Sequence, residues 1–203
     1  MSRVTWICRL GLLVSLALFL RTEAMGQGNQ GQGNPNARLK GEYTFTLKRT
    51  CVNAPSFSQT LIPTGFPFTR DGALHGIVTY NGDGTGTYSH VLLDINTAPQ
   101  AGQLPLIHGE ITCDLTYSVR PDGSFTQGLS NCSFRVFLGG PGPNATGTIN
   151  GIQNEGQILP GGQTLLFFDT DPAVETITVR TPSFSESQRI CNGSGTAIRT
   201  SPW

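Results

Sequence analysis

The chain has 203 residues, with 13 Lys plus Arg against 13 Asp plus Glu, three His, five Cys and 26 Gly. Its basic residues are scattered, Lys48-Arg49 being the only adjacent pair. That excludes the clustered basic face with which a nucleic-acid binder neutralises phosphates.

Residues 1 to 26 fit a secretory signal peptide: Arg3 and Arg9 form a positive start, Leu10 to Leu20 an apolar run, and small residues follow. Cleavage after Gly26 is preferred to cleavage after Ala24. The apolar run is about half the roughly 20 residues that span a bilayer, which argues against an uncleaved anchor and leaves no membrane span in the mature chain. Cys8 leaves with this segment. Loss of Arg3, Arg9, Arg21 and Glu23 leaves 10 of the 13 basic and 12 of the 13 acidic side chains. The protein is expected to be periplasmic or extracellular.

Residues 27 to 38 are rich in Gly, Gln and Asn, have almost nothing apolar to bury, and read as a flexible tether. Residues 39 to 200 are expected to form one all-β domain, a single antiparallel barrel of about eight strands, with a β-sandwich as the alternative. The first strand, 42 to 48, alternates Tyr43, Phe45 and Leu47 with polar residues, and Cys51 continues their parity. Strands at 73 to 81 and 85 to 95 flank Asn81-Gly82-Asp83-Gly84. That run resembles the start of a calcium loop, but its twelfth position is Leu92 where a Glu is required, so a hairpin turn is predicted. The strand 107 to 119 carries Ile111, Cys113, Leu115, Tyr117 and Val119 on one face. Arg120-Pro121-Asp122-Gly123 then turns the chain, pairing Val119 with Phe125, Tyr117 with Gln127 and Leu115 with Leu129. Beyond Leu129 the alternation changes phase to Cys132, Phe134, Val136 and Leu138, which requires a bulge near Ser130 or Asn131. With that bulge Cys113 lies opposite Cys132, and a disulfide is predicted there. Further strands fall at 144 to 152, 164 to 169, 173 to 180 and 188 to 199. The last offers Cys191, Gly193, Gly195 and Ala197 on one parity, so pairing Cys51 with Cys191 sets Leu47 against Gly195 and Phe45 against Ala197. First and last strands would then close the barrel.

The four mature cysteines form no C-x-x-C pair and have no histidine at ligand spacing, so disulfides rather than zinc are expected, and no metal or other cofactor is implied. Asp169-Thr170-Asp171-Pro172 with Glu175 gathers carboxylates that turn chemistry also explains. Glu175 shares parity with Ile177 and Val179 and is expected to face either inward or the barrel mouth. His75 and His90 lie on one hairpin but are not assigned as a metal or catalytic pair, and no G-x-S-x-G motif supports a serine nucleophile. The sequons at Asn131, Asn144 and Asn192 are ascribed to chance.

Gly41-Glu42-Tyr43-Thr44-Phe45, Tyr80-Asn81-Gly82-Asp83-Gly84-Thr85-Gly86-Thr87 and Arg189-Ile190-Cys191-Asn192-Gly193-Ser194-Gly195-Thr196 resemble a group of bacterial exported proteins of unknown function. The layout is similar to lipocalin-like and allene oxide cyclase-like barrels, which implies a cavity and an apolar ligand. The early Gly-x-Trp of lipocalins is missing, since Trp6 and Trp203 are the only tryptophans. The expected function is therefore binding of a small apolar or amphipathic ligand by a non-enzymatic barrel, with Tyr43, Phe45, Tyr117, Phe125, Phe134 and Glu175 as candidate contacts. The rivals are a cyclase or isomerase using Glu175 as acid or base, and a structural or surface-interaction protein with a filled barrel. The oligomeric state is not legible.

Overall fold

The computed structural model describes residues 33–99, 104–138, 142–169 and 172–201. The expected signal segment and residues 27–32 of the tether lie outside them. The described residues form β1 (Lys40–Ala54), β2 (Ser56–Phe57), β3 (Pro63–Thr64), β4 (Phe68–Asn81), β5 (Thr85–Asn96), β6 (Leu106–Val119), β7 (Ser124–Phe137), β8 (Ala145–Asn150), β9 (Ile152–Ile158), β10 (Thr164–Phe168), β11 (Val174–Thr181) and β12 (Ser185–Arg199).

A closed antiparallel ring runs β1-β4-β5-β6-β7-β8-β11-β12 and returns to β1. Strands β8 and β9 lie end to end along β7, with Cys132 opposite Ile149 and Leu129 opposite Ile152. Likewise β10 and β11 lie end to end along β12. The wall is thus an eight-position up-and-down barrel in which two neighbouring positions are each broken once. Gly151 makes one break: its φ is +88°, and a Cβ there would sit 2.6 Å from the Val174 carbonyl oxygen. Only glycine fits such a corner without strain.

Register follows side-chain parity. Cys51 faces Cys191, Leu47 faces Gly195 and Phe45 faces Ala197, and a disulfide joins β1 to β12. In the central hairpin Leu115 faces Leu129, Tyr117 faces Gln127 and Val119 faces Phe125. The register shifts between Thr112 and Asp114, where Asn131 takes a φ of +51°, and the Cys113–Cys132 disulfide closes just beyond this bulge. Ring closure gives a barrel and not a sandwich.

The core is inside the ring, while the outward positions are mostly polar: Glu42, Thr44, Thr46, Lys48 and Thr50 on β1, and Glu110, Thr112, Asp114, Thr116 and Ser118 on β6. Membrane-spanning barrels show the opposite arrangement, an apolar band outside and a polar lumen. Among the described residues no helix is long and apolar enough to cross a membrane.

The two ends of the barrel differ. At one end the β4–β5, β6–β7 and β9–β10 turns are short. Pro35–Arg38 forms a 3-10 turn packed across this end, with Asn34 as its N-cap. The Asn36 side chain accepts from Val119 N at 2.9 Å, and Arg38 donates to the Pro121 carbonyl at 2.9 Å. Leu39 behind it is fully buried. The last residues of the Gly/Gln/Asn-rich run are therefore held against the domain. At the other end lie the connections β1–β4, β5–β6, β7–β8 and β11–β12, the first of which contains the small β2–β3 hairpin.

Candidate functional site

The inward side chains divide along the barrel axis. Next to the capped end lies an aromatic cluster, with Tyr80 at its centre. Its ring meets Tyr43, Tyr117 and Phe125 edge-on, at centroid distances of 5.7, 4.9 and 6.4 Å. Such edge-to-face contacts set the positive rim of one ring against the negative face of the next. Phe45 stacks on Tyr88 at 4.9 Å, and Phe167 bridges Phe45 and Phe125. The hydroxyls are engaged: Tyr43 donates to the Gly162 carbonyl (2.9 Å), Tyr80 to Gln127 Oε1 (2.8 Å) and Tyr117 to the Leu39 carbonyl (2.8 Å). Burial pushes the phenol pKa of all four tyrosines, Tyr43, Tyr80, Tyr88 and Tyr117, above the usual value of 10. Phe134 is also buried, and its ring fills the space over Gly147, where a Cβ would come within 2.6 Å of it.

Toward the opposite end the interior becomes charged. Arg49, Arg70, Asp94, Glu175 and Arg189 are all buried, together with Asn53, His90 and Asn96. Arg189 Nε donates to Glu175 Oε2 at 2.5 Å, and Arg49 Nη2 to Asp94 Oδ2 at 3.4 Å. Arg70 donates to the Leu104 carbonyl at 3.1 Å and lies 5.3 Å from the centroid of the Phe68 ring. The guanidinium pKa values of Arg70 and Arg189 are lowered, first by burial. Asp94 opposes this at Arg70; at Arg189 the Arg49 charge adds to it while Glu175 opposes. Among the described residues Arg49 Nε, Arg70 Nη1, Arg189 Nη2, Asp94 Oδ1 and both His90 nitrogens have no protein hydrogen-bond partner. Donors and an acceptor are left over together, a pattern that enclosed water satisfies as readily as an ion.

A polar chain links the two halves at the broken wall. Tyr80 donates to Gln127, Gln127 Nε2 to Asn154 Oδ1 (3.4 Å), and Asn154 Nδ2 to Asp169 Oδ1 (2.5 Å). Partial burial raises the Asp169 pKa above the usual 3.8, and the Asn154 hydrogen bond works against that.

Of the residues singled out from the sequence, Tyr43, Phe45, Tyr117 and Phe125 come together in the aromatic half, Phe134 packs beside Gly147, and Glu175 points inward beside Arg189. His75 and His90 lie on opposite faces, because Gly76 pairs with His90 and His75 with Val91. Asn81 to Thr85 is a turn in which the Asp83 carboxylate accepts from Thr85 N and Oγ1. Thr170 and Asp171 lie outside the described residues, and the described ones contain no metal-binding group of three or more His, Cys, Asp or Glu. Arg49, Arg70, Asp94 and Arg189 were missed. Parity was the available signal: Arg49 shares it with Phe45 and Cys51, and Asp94 with His90 and Leu92.

The outer wall carries an open groove of about 880 Å³. Pairs of outward residues on β5, β4, β1, β12 and β10 line it, among them Leu93, Ala73, Thr46, Ser194, Leu166 and Phe168. Lys48, His75 and His108 line it, and its described lining contains no carboxylate.

The ring, its parity and its two disulfides define a closed up-and-down β-barrel, and the disulfides are compatible with export. Comparison with models of protein families finds no match, and comparison with curated protein sequences finds none either. Among solved structures the chain is similar to Neisserial surface protein A (NspA), with a TM-score of 0.53 and 8% identity over 79% of this chain and 98% of that one. That likeness concerns the fold alone. A weaker likeness, at a TM-score of 0.29 and 7% identity over 83% of this chain and 92% of the other, is to the S-type phycobiliprotein lyase CPES from Guillardia theta.

Proposed function

We propose that this is an exported, non-enzymatic barrel that acts from its outer surface, its interior serving as scaffold. The observation that supports this is that the polar groups among the aromatic side chains are largely engaged: the Tyr43, Tyr80 and Tyr117 hydroxyls are bonded within the protein, and Glu175 is bonded to Arg189. On this reading Tyr43, Phe45, Tyr117, Phe125 and Phe134 are packing residues, and Glu175 is a charge partner, not the acid or base of a cyclase or isomerase. The outer groove is the surface suited to a small ligand. Its volume lies in the range of ligand sites, its wall is largely apolar, and Lys48 favours an anionic head on an apolar chain. Native mass spectrometry of the protein purified from its own host tests the reading. The expected result is a bare chain lighter than the reduced chain by the hydrogens of two disulfides. A small molecule released only on denaturation would overturn it. Titration of the bare protein with a medium-chain carboxylate is expected to saturate, and Ala73→Trp, which fills the groove, should remove that binding.

A further inference from the structure

An up-and-down barrel places alternate connections at the same end, so β1–β4, β5–β6, β7–β8 and β11–β12 share one rim. This rim holds the most exposed aromatic side chains of the described protein: Phe66 is 79% exposed and Phe184 73%, with Ile62 at 64%. Leu104 and Leu138 add exposed aliphatic surface from the two remaining connections, and Leu106 from the start of β6. The β1–β4 tip is held in place. Ser58 N donates to the Ile62 carbonyl and Leu61 N to the Ser58 carbonyl, closing a turn in which Leu61 takes a left-handed φ of +61°. Phe57 N is bonded to Gln188 Oε1 at 2.7 Å, which ties the same loop to β12.

Residues 55–67, 97–105, 138–144 and 182–184 contain no Asp, Glu, Lys or Arg. The opposite end is built differently, from turns carrying Asp83, Arg120 and Asp122 and a 3-10 turn carrying Arg38. The first described residues of the domain, Asn34 to Arg38, lie at that charged end, opposite the apolar rim.

We propose that the β1–β4, β5–β6, β7–β8 and β11–β12 rim docks on a lipid surface, with Phe66, Phe184 and Ile62 inserting among the acyl chains. Separate apolar tips set around a rim suit a deformable plane, which accepts each tip independently. A protein partner would need matched pockets and a polar border to pair with. The lack of charge on all four connections makes the attachment hydrophobic, independent of anionic lipid and insensitive to salt. This inference rests on the reading that the protein acts from its outside, and it goes beyond the groove, which lies midway along the wall.

Sedimentation of the whole mature protein with phosphatidylcholine vesicles tests it. Binding is expected, with the same partition at low and high salt. Phe66→Ser and Phe184→Ser should each weaken it about tenfold, the effect of partly burying one phenylalanine, without moving the melting temperature. In a Trp203→Phe background, brominated lipid should quench a tryptophan placed by Phe66→Trp or Phe184→Trp and spare one placed by Asp83→Trp at the far end. Absence of vesicle binding, binding abolished by salt, or equal quenching at both ends would overturn the proposal. So would a self-association that the Phe66→Ser/Phe184→Ser pair removes, since the rim would then cover a second copy. A bare chain in the native mass measurement with no vesicle binding would remove only the lipid assignment. A carried small molecule together with rim-dependent vesicle binding would remove only the scaffold reading of the interior.

Discussion

Along β1 the inward side chains change from Tyr43 and Phe45 to Arg49 and Asn53, and along β4 from Tyr80 and Val78 to Arg70. The same wall therefore encloses an aromatic half and a charged half. In the aromatic half nearly every buried atom gains from leaving water, and the hydroxyls of Tyr43, Tyr80 and Tyr117 are bonded. In the charged half each ion gives up its hydration, and pairing recovers that cost only in part. The comparison assigns the stability of the barrel to the aromatic half and leaves the charged half roughly neutral. Arg189 and Arg49 are paired with Glu175 and Asp94, while Arg70 is held by the Leu104 carbonyl.

Truncation on each side separates these accounts. Phe125→Ala should cost about 4 kcal/mol in denaturant unfolding, because its ring is 1% exposed and packed against Tyr80, Phe167 and Gly156, and the space it leaves cannot collapse. Arg189→Met should cost about 3 kcal/mol by stranding the Glu175 carboxylate, whereas Arg189→Met combined with Glu175→Leu should return to within about 1 kcal/mol of the parent. A double variant as unstable as the single one would show that the ion pair is a net contributor, and the contrast between the halves would fail.

The two halves should also fail at opposite ends of the pH scale. His90, at their junction, is held neutral by burial and by Arg49 and Arg189, with its pKa well below 6.5. The unfolded chain takes up a proton that the folded chain refuses. Stability is therefore level with respect to this group above pH 6.5 and falls as pH drops below it, by at most about 1.4 kcal/mol per unit. His90→Gln should flatten that limb between about pH 6.5 and 5. The buried tyrosines act in the other direction. Their raised pKa values mean that the unfolded chain ionises near pH 10 while the folded one does not, so stability declines as pH rises past 10. Urea midpoints measured across the range check both limbs.

Much of the wall was legible because a strand repeats every two residues. Once Cys51 and Cys191 were placed opposite each other, the parity of Phe45, Leu47, Gly195 and Ala197 fixed the closing seam, and the phase change after Leu129 located the bulge. The breaks in the wall were harder to foresee. Gly151 sits between two apolar-alternating runs, and whether the chain continues straight or turns there depends on Val174, a residue remote in sequence. The buried arginines follow the same parity as their aromatic neighbours, but a charge in an inward position becomes credible only when its partner is known. Arg189 and Glu175 lie 14 positions apart on strands whose pairing had to be established first. The rim escaped notice for a different reason: isolated Phe and Ile in Pro- and Gly-rich connections carry no period, and only the barrel topology brings them to one end.

The Cys51–Cys191 bridge also makes the chain between those positions a covalent ring, because the bond spans 140 residues. All four apolar connections fall within it. A protease that cuts once at Phe66, Leu104, Leu138 or Phe184 would open a loop but release no fragment, and seven of the eight wall positions would stay tethered to the eighth. The protein can thus expose apolar, cleavable loops at its rim and still remain a single molecule after the first cut.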